Sequence, residues 1–299
     1  MSEAHRAGFV ALVGRPNVGK STLLNALVGQ KVSIVTPKPQ TTRHRILGVV
    51  TGEGWQASFL DTPGLHGNAR RQLNRAMNRA ALGSLAEAHV AVLVVDGDRW
   101  TDEDETALAR VKDSGIPAVL VINKVDRVRP RERLLPVIER LSKLHDFIAV
   151  VPLSARREQN LAPLLAAISA ALPECEAIYP EDQVTDRSER FLAAEVIREK
   201  LTLAVHEELP YGISVEIERW EEQEDGRLAL NAIIWVERDG QKKIVIGEGG
   251  ARLKSVGRAA RLELNELLGR RVHLELWVKV REDWADNEAA LRQFGYDGT

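Results

Sequence analysis

One cysteine, Cys175, stands in a chain of 299 residues. A lone thiol excludes an internal disulfide framework and fits a reducing compartment, so the expected location is the cytoplasm. Cys175 itself is expected to be inert filling. Long apolar runs are equally scarce. The longest, Val90–Val95 and Ile116–Ile122, fall far short of the about 20 residues that cross a bilayer. That excludes a transmembrane helix and leaves them as buried strands. The stretch Gly8–Val13 is too short for a signal peptide, and no small-residue cleavage site follows it. Neither sign of charge dominates: the formal net charge is −2, so the total charge selects no partner class. No repeat or low-complexity tract is present.

What is there is an ordinary globular balance, 44% hydrophobic and 28% charged, long enough for two domains of usual size. The first half alternates short β-branched runs with longer amphipathic stretches, the pattern of a mostly parallel α/β sheet with helices on both faces. Strands are expected at Phe9–Val13, Ile46–Thr51, Gln56–Leu60, Val90–Val95, Ala118–Ile122 and Ile148–Leu153. Helices are expected at Lys20–Val28, Asp104–Asp113, Pro130–Lys143 and Ala162–Leu172. Gly52 and Gly54 between the second and third strands make an antiparallel edge hairpin, so the sheet is mixed. A proline-bearing, poorly periodic stretch, 174–188, reads as a linker between residues 1–173 and a second domain, 189–284, with 285–299 as a tail. The second domain reads as helix Glu189–Glu208 capped by Ser188, strands Ile213–Trp220 and Leu228–Val236, a short run Lys243–Ile246, helix Ala251–Leu268 and strand Val272–Val280, a smaller α+β unit.

Gly14-Arg15-Pro16-Asn17-Val18-Gly19-Lys20-Ser21 matches GxxxxGK[ST] between a strand and a helix, a pattern expected about 0.005 times by chance in this composition. Backbone N–H groups of such a loop curl around a β-phosphate. Lys20 reaches the β- and γ-phosphates, the Ser21 hydroxyl ligates Mg²⁺, and Thr22 follows in the helix. Asn123-Lys124-Val125-Asp126 lies at the carboxyl end of a strand, where a base belongs. Asp126 there can accept two hydrogen bonds from guanine, and adenine offers no such pair. Asp61-Thr62-Pro63-Gly64 ends another strand and would hold Mg²⁺ through Asp61 and the γ-phosphate through the Gly64 N–H. Ser154-Ala155-Arg156 would offer N–H to the guanine carbonyl. Thr42, within Thr41-Thr42-Arg43, is expected to join the Mg²⁺ shell only when a γ-phosphate is present, which makes that loop a switch.

GRPNVGKST, QTTRHR, DTPGL and NKVD, followed by LPYGISVEIE and IVIGEGGARLK, resemble the Era family of translation-factor-related bacterial GTPases over nearly the whole chain. The resemblance implies hydrolysis of GTP, a type II KH domain, and binding to the 3′ end of 16S rRNA in maturation of the small (30S) ribosomal subunit. Lys20, Asn17 and Gly64 are then the catalytic set. Asn17 matches the asparagine that ligates potassium in similar GTPases, with simple bracing of the loop as the alternative. Leu65, after Gly64, stands where Ras-like enzymes carry a water-orienting glutamine. Further expectations are a monomer and peripheral association with the inner face of the cell membrane.

Chance alone supplies about 1.6 GxxG matches in a chain with this many glycines, so only the context gives Gly247-Glu248-Gly249-Gly250 meaning. In KH modules that loop clamps a nucleic-acid backbone. Residues 242–281 hold ten Lys/Arg against four Glu, and Arg252 and Lys254 are expected to contact phosphate. Glu248 departs from the family, which more often has a basic residue there. Trp277 and Trp284 are candidates for stacking bases, with a core role for Trp277 equally open. Two rivals remain: a recruited signalling GTPase whose second domain binds protein, and a tRNA-modification GTPase, whose distal cysteine motif is missing.

Overall fold

The computed structural model describes residues 5–38, 40–63, 71–205 and 212–296. In chain order the elements are β1 (Arg6–Val13), α1 (Lys20–Val28), β2 (Ile46–Gly52), β3 (Trp55–Asp61), α2 (Gln72–Glu87), β4 (Val90–Asp96), α3 (Asp102–Ser114), β5 (Ala118–Asn123), α4 (Leu134–Ser142), β6 (Ala149–Pro152) and α5 (Leu161–Ala171). There follow α6 (Glu189–Ala204), β7 (Ile213–Glu222), β8 (Leu228–Val236), α7 (Asp239–Ile246), α8 (Ala251–Leu268), β9 (Val272–Val280) and α9 (Glu288–Gln293). They form two compact units, one built on residues 1–33, 42–66 and 77–186, the other on 34–41, 67–76 and 187–299.

In the first unit six strands run in the order β2-β3-β1-β4-β5-β6. β2 and β3 pair antiparallel and the other neighbours parallel, as the glycine-bearing turn and the apolar runs foretold. β4 and β5 are apolar on both faces because helices cover both, and Leu93, Leu120 and Ile122 pack with Leu108 and Val111 of α3 on one side. The order reverses around β1 and β4, opening a crevice at the carboxyl ends of the strands. Helix α4 starts at Leu134, after a one-turn helix at Arg131–Arg133, rather than at Pro130. In the stretch 174–186, residues 174 and 175 pair with the start of β1 and residues 178–185 lie along the edge hairpin. Val49 N–H donates to Val184 O (2.9 Å), Thr185 Oγ1 to Leu47 O (2.7 Å), and the buried Gln56 Oε1 accepts from Ile178 and Tyr179 N–H (2.8 and 2.9 Å). Cys175 sits in this stretch and is exposed, so it is not core filling.

The second unit has a three-stranded sheet, β7-β8-β9, with β7/β8 antiparallel and β8/β9 parallel. Ala193, Val196 and Ile197 of α6 and Ala260 and Leu264 of α8 bury one face of it. Ser188 caps α6, accepting from Phe191 N–H (3.3 Å). Extended backbone at Val205 ends the helix at Ala204, and the expected end, Glu208, lies outside the described residues. Within the same unit, Arg198 Nη2 donates to Thr41 O (2.5 Å) and Glu199 Oε1 accepts from Val35 N–H (2.8 Å). The short run Lys243–Ile246 ahead of the glycine-rich loop, which its apolar residues would equally allow as a strand, belongs to helix α7. A three-residue apolar run, Ile244 to Ile246, cannot distinguish the two periodicities; here Val245 is buried in the core and Ile246 packs against it.

Candidate functional site

The phosphate-loop motif leaves β1 and enters α1 with Gly14 at φ 154, Asn17 at φ 63 and Gly19 at φ 104. A Cβ would lie 2.4 Å from Val94 O at Gly14 and 2.4 Å from Asn123 Nδ2 at Gly19. Only glycine fits either place. Lys20 is buried and its Nζ donates to Gly14 O (2.7 Å) and Arg15 O (3.1 Å). Burial pushes its ammonium below the usual lysine range, against the opposing pull of Asp61.

One end of the crevice gathers oxygen donors. Ser21 Oγ donates to Asp61 Oδ2 (2.6 Å) and lies 2.8 Å from Thr42 Oγ1. Ser33 Oγ also donates to Asp61 Oδ2 (3.0 Å). Asp61 is fully buried, and that burial raises its carboxyl above the ordinary value; its Oδ1 has no hydrogen-bond partner among the described residues. A buried carboxylate with a spare oxygen beside three hydroxyls is a donor set for a hard cation such as Mg²⁺. Among the described residues no group of three His, Cys, Asp or Glu side chains could hold a softer metal. Thr22 lies in the first turn of α1 beside Ser21. Gly64 and Leu65 lie outside the described residues.

The other end is knit by Asn123. Its Nδ2 donates to Val18 O (2.9 Å), and its Oδ1 accepts from Lys124 N–H (2.7 Å) and Ala155 N–H (3.0 Å). One side chain thereby ties its own loop to two others, 105 and 32 residues away in sequence. Lys124 Nζ donates to Asn17 O (2.7 Å) and to Asp96 Oδ2 (2.7 Å). Asp126 Oδ1 accepts from Ser154 Oγ (2.7 Å), and this bond above all holds its carboxyl below the usual range. The Ser154 and Ala155 N–H groups donate to Gln159 O (3.3 Å) and Asn123 Oδ1. Sequence reasoning missed Ser33 and Asp96, which belong to no motif and reach the site only through the sheet.

In the second unit, α7 ends at Gly247, and Gly247, Gly249 and Gly250 all adopt positive φ before α8 begins. A Cβ at Gly247 would come within 2.8 Å of Arg252 Cβ, whereas Gly249 and Gly250 face open space. Glu248 and Lys254 are exposed. Arg252 turns its Nη1 back onto Ile244 O at the end of α7, so part of its donor set is spent closing the loop. Trp277 is 57% exposed on β9, so it is not core. Trp284 is fully buried, its Nε1 bonded to Gly212 O (3.2 Å) and its ring against Phe294 and Tyr296. That overturns the stacking role expected of Trp284, because the segment after β9 folds back and covers it.

A phosphate-cradling loop, a guanine-selecting NKxD corner and a helix-GxxG-helix module define the class: a P-loop GTPase joined to a KH domain. Residues 9–124 match the family model described as 50S ribosome-binding GTPase, and 208–285 the KH domain model. The chain belongs to the Era family of GTPases. It is 54% identical to GTPase Era of Xanthomonas campestris pv. campestris (strain B100), over 99% of this chain and all of that one. With GTPase Era of Stenotrophomonas maltophilia (strain K279a) the identity is 52% over 98% of both. Among solved structures, an Aquifex aeolicus Era variant bound to GDP·AlF4⁻ superposes with a TM-score of 0.93 and 43% identity, covering 97% of this chain and 99% of that one. Era in complex with MgGDPNP and nucleotides 1506–1542 of 16S ribosomal RNA gives 0.93 and 42%, covering 98% and 99%. No helix among the described residues is long and apolar enough to cross a membrane.

Proposed function

We propose that this GTPase hydrolyses GTP in the crevice of its first unit and uses its KH loop to hold the 3′ end of 16S rRNA while the small ribosomal subunit matures. The convergence of Lys20, Ser21, Thr42 and Asp61 at one end and Asn123, Lys124 and Asp126 at the other carries this reading.

The loop of Gly14, Asn17, Val18, Gly19, Lys20, Ser21 and Thr22 takes the phosphates, with Lys20 leaving its carbonyl partners for phosphate oxygens. Ser21, Thr42 and Asp61 would hold Mg²⁺, which when bound neutralises charge on the phosphate oxygens. Asp126, kept ionised by Ser154, accepts from guanine, while Lys124 and Ala155 flank the base. The Gly64 N–H completes the γ-phosphate contacts. Asn17 would help to hold a potassium ion, which when bound would supply positive charge beside the phosphates, a role worth roughly 10³ to 10⁵ in rate where an arginine finger plays it. The RNA backbone runs across Gly247, Glu248, Gly249 and Gly250 towards Arg252 and Lys254, and Trp277 stacks on a base.

Domain limits of 1–173 and 189–284, with 174–188 between them, a monomeric state, cytoplasmic location and peripheral membrane contact belong to the same reading. The switch couples the two activities: Thr42 holds to Ser21, while the preceding residue, Thr41, is held by Arg198. Loss of the γ-phosphate releases Thr42 and changes how the RNA surface is presented. Sequencing RNA crosslinked to the protein in its GTP-analogue and GDP forms tests this. Enrichment of the 16S 3′ end in the analogue form supports it, and equal recovery in both forms removes the coupling.

A further inference from the structure

A second polar contact anchors the phosphate loop from outside the nucleotide motifs. Arg15 Nε donates to Asp104 Oδ2 at 3.0 Å, with both side chains buried, 5% and 0% exposed. The same Oδ2 accepts from Thr101 N–H and Thr101 Oγ1, each at 2.9 Å, so it also closes the first turn of α3. Asp104 Oδ1 and Arg15 Nη2 have no hydrogen-bond partner among the described residues. A buried ion pair left with unsatisfied atoms is a poor source of stability, because desolvation of both charges offsets their attraction. Its position is more telling than its strength. Arg15 lies between Gly14 and Pro16, and the Gly14 and Arg15 carbonyls are the two groups that hold Lys20 Nζ.

We propose that Arg15 and Asp104 are positioning residues that pin the first half of the phosphate loop to α3, fixing the backbone against which Lys20 and the nucleotide phosphates are set. The proposal rests on the reading of this loop as the GTP site. Release of the tether lets the Gly14–Pro16 path drift, and displacements of about 1 Å at such sites cost up to a hundredfold. Drift weakens the grip on ground state and transition state together, so the effect falls on KM and nucleotide release more than on kcat.

The test compares the full-length chain with Asp104→Asn, Arg15→Lys and the double variant Arg15→Met/Asp104→Asn, whose amide oxygen still caps α3, measuring release of a fluorescent GDP analogue, steady-state GTP hydrolysis and Tm. Positioning predicts release faster by about ten- to hundredfold in Asp104→Asn and in the double variant, with Arg15→Lys intermediate and KM rising in step. The double variant leaves no orphaned charge and recovers Tm relative to Asp104→Asn, yet it still releases GDP quickly. Release rates that return to the unaltered value along with Tm, or that never change, overturn the proposal and leave the pair a structural contact. Failure of the unaltered chain to bind GDP overturns the nucleotide reading itself, and the proposal with it.

Discussion

Ser154 donates its hydroxyl hydrogen to Asp126 Oδ1 at 2.7 Å, joining the loop after β6 to the loop after β5. The bond stabilises the carboxylate, whose other oxygen, Oδ2, lies 3.8 Å from Arg157 Nε.

Because that bond lowers the Asp126 pKa from its ordinary value of 3.8, its contribution to stability is present above the unfolded pKa and is lost as pH falls through the folded one. Preference for guanosine nucleotides should therefore persist as pH falls to the ordinary carboxyl value of 3.8. In Ser154→Ala the carboxyl moves back up towards 3.8, and GDP affinity at neutral pH should fall about tenfold through loss of one charge-assisted bond. Nucleotide titrations from neutral pH down through 3.8 on both proteins check this.

Asp126→Asn exchanges an acceptor pair for one acceptor and one donor. Affinity should shift from guanosine to xanthosine nucleotides, whose 2-carbonyl accepts from the new amide. Competition between GDP and XDP for the variant reads the exchange.

Hydrolysis by the unaltered chain should be faster in potassium than in sodium at equal ionic strength, and Asn17→Ala should erase the difference. Phosphate release followed in the two salts measures both. Equal rates for the unaltered chain would leave Asn17 as a brace for the loop.

Gly249 has positive φ but open space where a Cβ would go, and aspartate visits that backbone region at modest cost. Gly249→Asp should fold normally and lose about tenfold or more in RNA affinity, since it sets a carboxylate against the phosphates. Circular dichroism alongside a filter-binding titration separates fold from affinity.

Trp284→Ala should cost about 3–5 kcal/mol in the second unit, the usual range for emptying a fully buried tryptophan site. Urea denaturation followed through the KH unit's signal gives the value, and a loss below about 1 kcal/mol would contradict the packing described.

Much of the nucleotide site was legible because its chemistry is local. Gly14, Gly19 and Lys20 lie within one loop, and Asn123 to Asp126 within another, so contiguous spelling carries the function. The α/β sheet was legible for a related reason: Val90–Asp96 and Ala118–Asn123 are too apolar to be anything but covered strands. Other features depend on contacts that spacing does not encode. Ser33 reaches Asp61 and Asp96 reaches Lys124 only once the strands are side by side, and Arg15 meets Asp104 across 89 residues. Val245 sits in a run too short to declare a helix. Trp284 looked available because nothing in its own neighbourhood reveals that Gly212, Phe294 and Tyr296 will enclose it.

Direct calorimetric titration of the full-length protein with GDP and with ADP, in magnesium, probes the guanine corner without any variant. A carboxylate at Asp126 that must be satisfied by the base predicts GDP tighter than ADP by on the order of 10⁴. Comparable affinities for the two nucleotides would contradict the assignment of the crevice and the GTP-dependent function built on it.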